Sequence, residues 1–336
     1  MTTANVAVVT GANSGIGRAT ALHLAEHGYT VYGTVRSVDR AGKLLDEAAG
    51  RGVAIELAEL DIADGESVHD GFADILDRAG RIDHLVNNAG VGGNGAVEET
   101  SAARYLDVMN IDLCGATRCI QAVLPQMRER GAGTIVNVTS VAGRVAAVGQ
   151  APYVAAKWAL EGVSEQLAME VAGMGIRVAI VEPGVTRSSI FGKNIDLPNE
   201  TGAYGPHYER MMQMYAAGAA NATDPTEVGE VIRHAIETDD PKLRYQVSWG
   251  GAEMVSGRAA MSDEDWVALG RIESLADYVS AFTDGFGIDI STLPLGRIGG
   301  LARGGSASTK IPPEAGHDPE RVTARGCDHV LVRRVL

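Results

Sequence analysis

Eight residues near the start of the chain, Thr10 to Gly17, read Thr-Gly-Ala-Asn-Ser-Gly-Ile-Gly. They follow an apolar run, Val6 to Val9, and precede a helical pattern beginning at Arg18. Gly11, Gly15 and Gly17 remove side chains where a strand must turn sharply into a helix, and the N–H groups opening that helix point at the cleared space. The chemistry such a turn suits is the binding of a pyrophosphate. Its spacing differs from GxGxxG, and glycine turns of this kind also serve as plain connectors. Further on, Ala151-Pro152-Tyr153-Val154-Ala155-Ala156-Lys157 puts a proline where a first helical turn tolerates it and sets Tyr153 and Lys157 on one helical face. Taken alone, that pair is an aromatic ring packed on an aliphatic stem. Its meaning depends on what the rest of the chain brings beside it.

The intervening sequence alternates strands and helices. Strands are expected at Val6 to Val9, Thr30 to Val35, Val53 to Leu60, His84 to Val86, Gly133 to Thr139, Arg177 to Glu182 and Tyr245 to Ser248. Helical patterns run from Val38 to Ala49, Asp64 to Ala79, twice within Ala102 to Arg130, from Pro152 to about Ala172, from Pro225 to Glu237, and from Asp263 to Asp277 with Trp266 as anchor. This alternation predicts an α/β fold, a doubly wound parallel sheet of about seven strands with helices on both faces. Ligands in such folds gather at the carboxyl ends of the strands, where Thr10, Val35, Asp61 and Asn87 fall. Val35 is followed by Arg36, where an NAD site usually carries a carboxylate for the ribose 2′-OH; arginine favours a 2′-phosphate. Residues 185–224 break the rhythm with glycine, asparagine and the cluster Met211, Met212, Met214 and Tyr215, and read as a lid. One domain is expected over 1–295. From 296 to 336 the chain turns to glycine, serine and arginine, seven Lys/Arg against four Asp/Glu, and reads as a disordered tail.

Composition narrows the function classes. A net charge of -14 over 336 residues repels nucleic-acid backbones and anionic lipid, so neither a nucleic-acid nor a membrane partner is expected. Cys114, Cys119 and Cys327 form no CxxC and cannot all pair, which points to a reducing compartment, and no metal site is expected. The first strand begins too early for a secretory leader, and no stretch approaches 18 apolar residues, so a cytoplasmic protein is expected.

The ordered set Thr10-Gly11-x-x-x-Gly15-x-Gly17, Asp61, Asn87-Asn88-Ala89-Gly90, Asn110, Ser140, Tyr153-x-x-x-Lys157 and Pro183-Gly184 resembles the short-chain dehydrogenase/reductase family in its non-extended form, over about Asn5 to Tyr245. The resemblance implies a Rossmann-type fold and hydride transfer between nicotinamide and a ketone or secondary alcohol. It assigns the catalytic roles to Asn110, Ser140, Tyr153 and Lys157. Tyr153 is then the general acid/base, with Ser140 bonding the same substrate oxygen, Lys157 supporting the phenolate and holding ribose, and Asn110 positioning a water. Lowering a tyrosine pKa from about 10 to about 7 takes roughly 4 kcal/mol, which one ammonium in a dry site can supply. Thr139 neighbours Ser140, but Ser140 has the family's separation from Tyr153. The cofactor set is Gly11, Asn13, Ser14, Gly15, Ile16, Gly17, Arg36, Asp61, Ile62, Asn87, Ala89, Gly90, Tyr153, Lys157, Pro183, Gly184 and Ser188, with serine at 188 where threonine is usual. Arg36 favours NADP(H) over NAD(H), although Ser14 stands where some NADP-dependent relatives are basic. Carbonyl reductases and 17β-hydroxysteroid dehydrogenases carry similar stretches, and a homodimer or homotetramer is implied. A non-catalytic NADP(H) sensor is the alternative; it would need the glycine turn and Arg36 but not Tyr153.

Overall fold

The computed structural model describes residues 4–188 and 197–291, all within one compact unit, Met1–Leu293. Seven strands form one sheet: β1 (Val6–Val9), β2 (Thr30–Val35), β3 (Glu56–Glu59), β4 (His84–Asn87), β5 (Gly133–Val138), β6 (Ile176–Pro183) and β7 (Arg244–Val247). They lie in the order β3-β2-β1-β4-β5-β6-β7, each neighbouring pair parallel. The switch in order falls beside β1, so the turn after β1 and the loop after β4 open into one crevice. The expected doubly wound sheet is therefore the fold observed.

Alternation along each strand divides the core in two. Ala7 and Val9 of β1, with Val86, Val136 and Val181, pack on α1 (Gly15–Glu26), α2 (Gly42–Gly50) and the helix Pro225–Glu237 through Leu22, Leu44 and Ile232. Val6, Val8, Leu85 and Ile135 face the other way, onto Phe72 and Ile75 of α3 (Gly65–Ala79) and onto two further helices. Those are α5 (Ala116–Arg130), through Cys119 and Val123, and α6 (Ala151–Val171), through Leu167 and Val171. Local chemistry sets the ends: Asp64 caps α3 by accepting from the Glu66 N–H at 2.9 Å, and Gly80 closes it at φ 75°.

Three helical expectations change: the helix expected from Val38 to Ala49 is a 3-10 turn, Val38–Arg40, followed by α2. The two helices within 102–130 run on from one another: α4 (Ala102–Met109) passes through one turn of π-helix, Asn110–Gly115, into α5. The helix expected from Asp263 to Asp277 is two, because Gly270 stops the first and Ser274 caps the second. Numbered along the chain, the remaining helices are α7 (Gly205–Asn221), α8 (Pro225–Glu237), α9 (Gly251–Ala260), α10 (Asp263–Leu269) and α11 (Leu275–Phe286). The expected lid contains α7; residues 189–196 of it lie outside the described residues, as does the whole expected tail. The α7 methionines serve two clusters. Met211 packs with Tyr208 and Ala96, and Met214 lies against the aromatic group Tyr278, Phe282 and Phe286 of α11. Buried Arg210 ties α7 to the same region: it donates to the carbonyls of Gly270 and Ile272 and lies 4.7 Å from the Tyr278 ring centre.

His84, at the start of β4, is buried with neither ring nitrogen hydrogen-bonded, and burial lowers its pKa to about 4. The unfolded chain binds this proton below about pH 6.5 and the folded chain only near pH 4, so stability falls as pH drops through that window. The loss from this group is expected to reach about 3 kcal/mol. Urea melts at pH 7 and pH 4.5 check it: His84→Leu should lose much less stability between the two than the wild type, and equal losses would reject the assignment.

Candidate active site

The crevice at the switch point is built by β1, β4 and the turns that leave them. The Thr10 hydroxyl accepts from the Asn88 and Ala89 N–H groups at 2.9 and 3.0 Å, and the Asn88 amide donates to the Thr10 carbonyl at 2.9 Å. This stitches the loop after β4 to the glycine turn. Gly11 and Gly15 sit at φ 68° and 56°, where a side chain is strained. A Cβ on Gly17 would come within 2.4 Å of both the Gly11 carbonyl oxygen and the Asn88 amide nitrogen. Ser188 closes on Gly15, its Cβ 3.1 Å from where a Gly15 Cβ would be.

The residues here fit a dinucleotide. Ser14 makes no side-chain cap, so the opening N–H groups of α1 keep their outward donors. Asn13 donates to the Arg40 carbonyl at 3.0 Å while its own buried amide oxygen lacks a hydrogen-bond partner. Arg36 is exposed just past β2 and makes no hydrogen bond or ion pair among the described residues. Asp61 is half-buried and accepts from the Ala63 N–H at 3.0 Å in a local turn, and Ile62 is buried against Gly115. Pro183 and Gly184 end β6, with the Gly184 N–H on the Val247 carbonyl at 2.8 Å and no room there for a Cβ beneath the Trp249 carbonyl. Asn87 is different: its side chain leaves the crevice and donates to Asn137 at 2.9 Å inside the sheet.

Tyr153 and Lys157 share the first turns of α6, as the spacing predicts. The Lys157 ammonium lies 5.6 Å from the Tyr153 ring centre and donates to the Val138 carbonyl at 3.3 Å. Ser140, just beyond β5, accepts from the Ala142 N–H at 3.1 Å. The neighbouring Thr139 faces away, donating to buried Glu161 at 2.6 Å. The structure thus brings Ser140, not Thr139, to the open side.

Asn110 is not brought to this group. Its amide donates to the Ala63 carbonyl at 3.2 Å and its oxygen accepts from Arg118 at 2.7 Å, which fastens the π-turn to the loop after β3. Within the π-turn, the side chain that is buried and faces α6 comes from two positions later. That residue is Asp112. Its Oδ2 lies 3.3 Å from Lys157 Nζ and its Oδ1 accepts from the Val91 N–H at 2.7 Å. Sequence reading passed over Asp112; the available signal was a lone acid in the turn Asn-Ile-Asp-Leu-Cys-Gly. Burial pushes the Asp112 carboxyl up and the Lys157 ammonium down. Facing each other, the charges offset that cost, and Lys157 sits above the usual lysine value.

A cavity of about 500 Å³ lies beside the loop after β4, lined by Asn94, Thr100, Arg104 and Pro198 among others. Among the described residues no group of acids, histidines and cysteines could hold a metal, and no helix is long and apolar enough to cross a membrane.

Residues 5–197 match the family model for short chain dehydrogenase. The 17-beta-hydroxysteroid dehydrogenase type 1 of Mus musculus is 32% identical over 71% of this chain and 72% of its own length. A short-chain dehydrogenase of Streptomyces avermitilis has a solved structure that superposes with a TM-score of 0.70, at 38% identity, covering 81% of this chain and 100% of its own. An alcohol dehydrogenase from Thermococcus sibiricus, solved with 5-hydroxy-NADP, gives a TM-score of 0.60 at 27% identity over 73% of this chain and 96% of its own. The chain belongs to the short-chain dehydrogenase family, as an oxidoreductase that transfers hydride with a nicotinamide cofactor.

Proposed function

We propose that this enzyme interconverts an apolar ketone and its secondary alcohol with NADP(H), using Tyr153 as the proton donor and acceptor. The observation that carries the reading is the Tyr153 ring held 5.6 Å from a buried ammonium on the open side of the strand ends, beside the glycine turn. When bound, the nicotinamide supplies or takes up the hydride. In the reducing direction Tyr153 gives its hydroxyl proton to the carbonyl oxygen, and the Ser140 hydroxyl donates a hydrogen bond to the same oxygen. Lys157 favours the resulting phenolate, and being buried it acts through a medium less screening than water. Gly11, Asn13, Ser14, Gly15, Ile16 and Gly17 would hold the pyrophosphate and ribose. Asp61, Ile62, Ala89 and Gly90 would line the adenine side, and Pro183, Gly184 and Ser188 the nicotinamide side.

Support for an apolar substrate comes from the apolar cluster that follows Ser140 in the chain, where Val141, Val145, Met214 and Trp249 join the α11 aromatics. The steroid dehydrogenase among the relatives agrees with it. The reading extends to a catalytic domain over 1–295, a cytoplasmic enzyme, a homodimer or homotetramer, and a tail after 295 that turnover does not need.

Cofactor choice rests on Arg36. A guanidinium on a 2′-phosphate is a charge-assisted contact of about 1.5–3 kcal/mol, equivalent to tenfold or more in affinity. Absorbance decay of NADPH and NADH against a panel of ketones, aldehydes, steroids and quinones tests the reading. Turnover is expected with NADPH, and Arg36→Ala should raise the KM for NADPH at least tenfold while changing that for NADH less than about twofold. Equal losses for both cofactors would remove the NADP assignment; binding without turnover in either direction would favour a sensor.

A further inference from the structure

The group facing Lys157 is a carboxylate, and a carboxylate can do what an amide there could not. Asp112 is fully buried, and the loop after β4 closes over it so tightly that a Cβ on Gly90 would sit 3.2 Å from both of its oxygens. One oxygen is pinned by the Val91 N–H. The other has no hydrogen-bond donor besides the Lys157 ammonium it faces at 3.3 Å. Among the described residues, Lys157 also donates to the Val138 carbonyl, lies 5.6 Å from the Tyr153 ring centre and feels the more distant charge of Glu161. The remaining charges nearby are already matched. Glu161, one turn along α6, is held by Thr139 and by Arg244 from β7, and Glu182 of β6 is paired with Arg244 and Arg144. Arg104 of α4 favours the charged form of Asp112. A lysine this deeply buried would otherwise tend to shed its proton, because burial disfavours the charged form.

We propose that Asp112 is the counter-ion that keeps Lys157 an ammonium, so that this carboxylate sets the alkaline limit within which Lys157 can support Tyr153. The catalytic half of that statement rests on the oxidoreductase reading above; the counter-ion half does not. Asp112 is thus a positioning residue that acts through Lys157.

The full chain contains five lysines, Lys43, Lys157, Lys193, Lys242 and Lys310, few enough to follow by NMR with 13Cε-labelled lysine. Lys157→Arg assigns the signal, and the titration is done without cofactor. The wild-type Lys157 midpoint is expected above the ordinary value of about 10.4. In Asp112→Asn, which keeps the shape and the acceptor for Val91, it should fall by at least about two units, as expected for a buried lysine without its partner. In Asp112→Glu, which restores the charge, the fall should be smaller. The alkaline limb of kcat/KM should move down with the Asn variant's midpoint. A wild-type midpoint below the ordinary value, or one that Asp112→Asn leaves in place, overturns the counter-ion; a moved midpoint with an unmoved kinetic limb overturns its hold on turnover. Should the wild type turn over no carbonyl or alcohol while the midpoint still shifts, the oxidoreductase reading fails and the counter-ion stands.

Discussion

Replacing Tyr153 with phenylalanine is expected to lower kcat by about a thousandfold, the mid-range of what a positioned general acid contributes. The variant keeps the ring that faces Lys157 and removes only the hydroxyl. Packing along α6 and the pair between Lys157 and Asp112 should therefore survive. NADPH affinity, read by fluorescence titration, should change less than about threefold, because losing one neutral hydrogen bond costs only about 0.5–1.5 kcal/mol. The split separates chemistry from binding: a lost kcat with intact affinity places Tyr153 in the proton transfer. A fall in kcat below tenfold would mean that the proton comes from another group, and Ser140→Ala would be examined next.

A single methyl group at Gly17 should have an effect of similar size by another route. The added Cβ would lie 2.4 Å from the Gly11 carbonyl oxygen, a backbone atom in a turn already committed to positive φ. It would also meet the Asn88 amide, which bonds the Thr10 carbonyl and joins β1 to the loop after β4. Neither neighbour is the loose end of a flexible side chain, so the turn itself must shift, at a cost of about 1–3 kcal/mol in stability. Dinucleotide affinity is expected to fall by at least about a hundredfold, since the donors of this turn act through their positions. Gly42→Ala is the control: that glycine opens α2 with nothing within 4 Å of its Cβ position, and its replacement should be neutral or slightly stabilising. Thermal melts and NADPH titration of the two variants check both halves; intact affinity in Gly17→Ala would remove the turn from the cofactor site.

The sheet was legible in the sequence because the central strands are short apolar runs closed by polar or glycine residues, while the edge strands β3 and β7 carry polar residues. Alternation with helices leaves few ways to connect such runs. Pro225–Glu237 could be read to the residue from Asp224, a capping carboxylate, followed by proline. The C-terminal helices were harder. Gly251–Ala260 is short and weakly amphipathic, and Gly270 and Ser274 punctuate a stretch whose periodicity alone reads as continuous. The site divided in the same way. Tyr153 and Lys157 share one face of α6, as a spacing of four in a helix requires, and Ser140 follows the end of β5. Asn110 and Asp112 lie in a π-turn, and no 3.6-residue period describes which side chains such a turn presents. Asn110 fastens the turn from outside, and Asp112 reaches Lys157.

Asn87 and Asn137 stand directly opposite each other across β4 and β5, and Asn137 passes its own amide hydrogen to Ser164 of α6 at 2.8 Å. The surrounding strand residues are largely valine, leucine and isoleucine, which are nearly interchangeable under sliding by two positions. Two amides are not, since a shifted pairing would leave each buried against hydrocarbon with nothing to bond, at about 1–3 kcal/mol apiece. They give the centre of the sheet a single permitted alignment. The ends of β4 and β5, and with them the spacing between the Asn88 loop and Ser140, are thereby fixed before any ligand arrives.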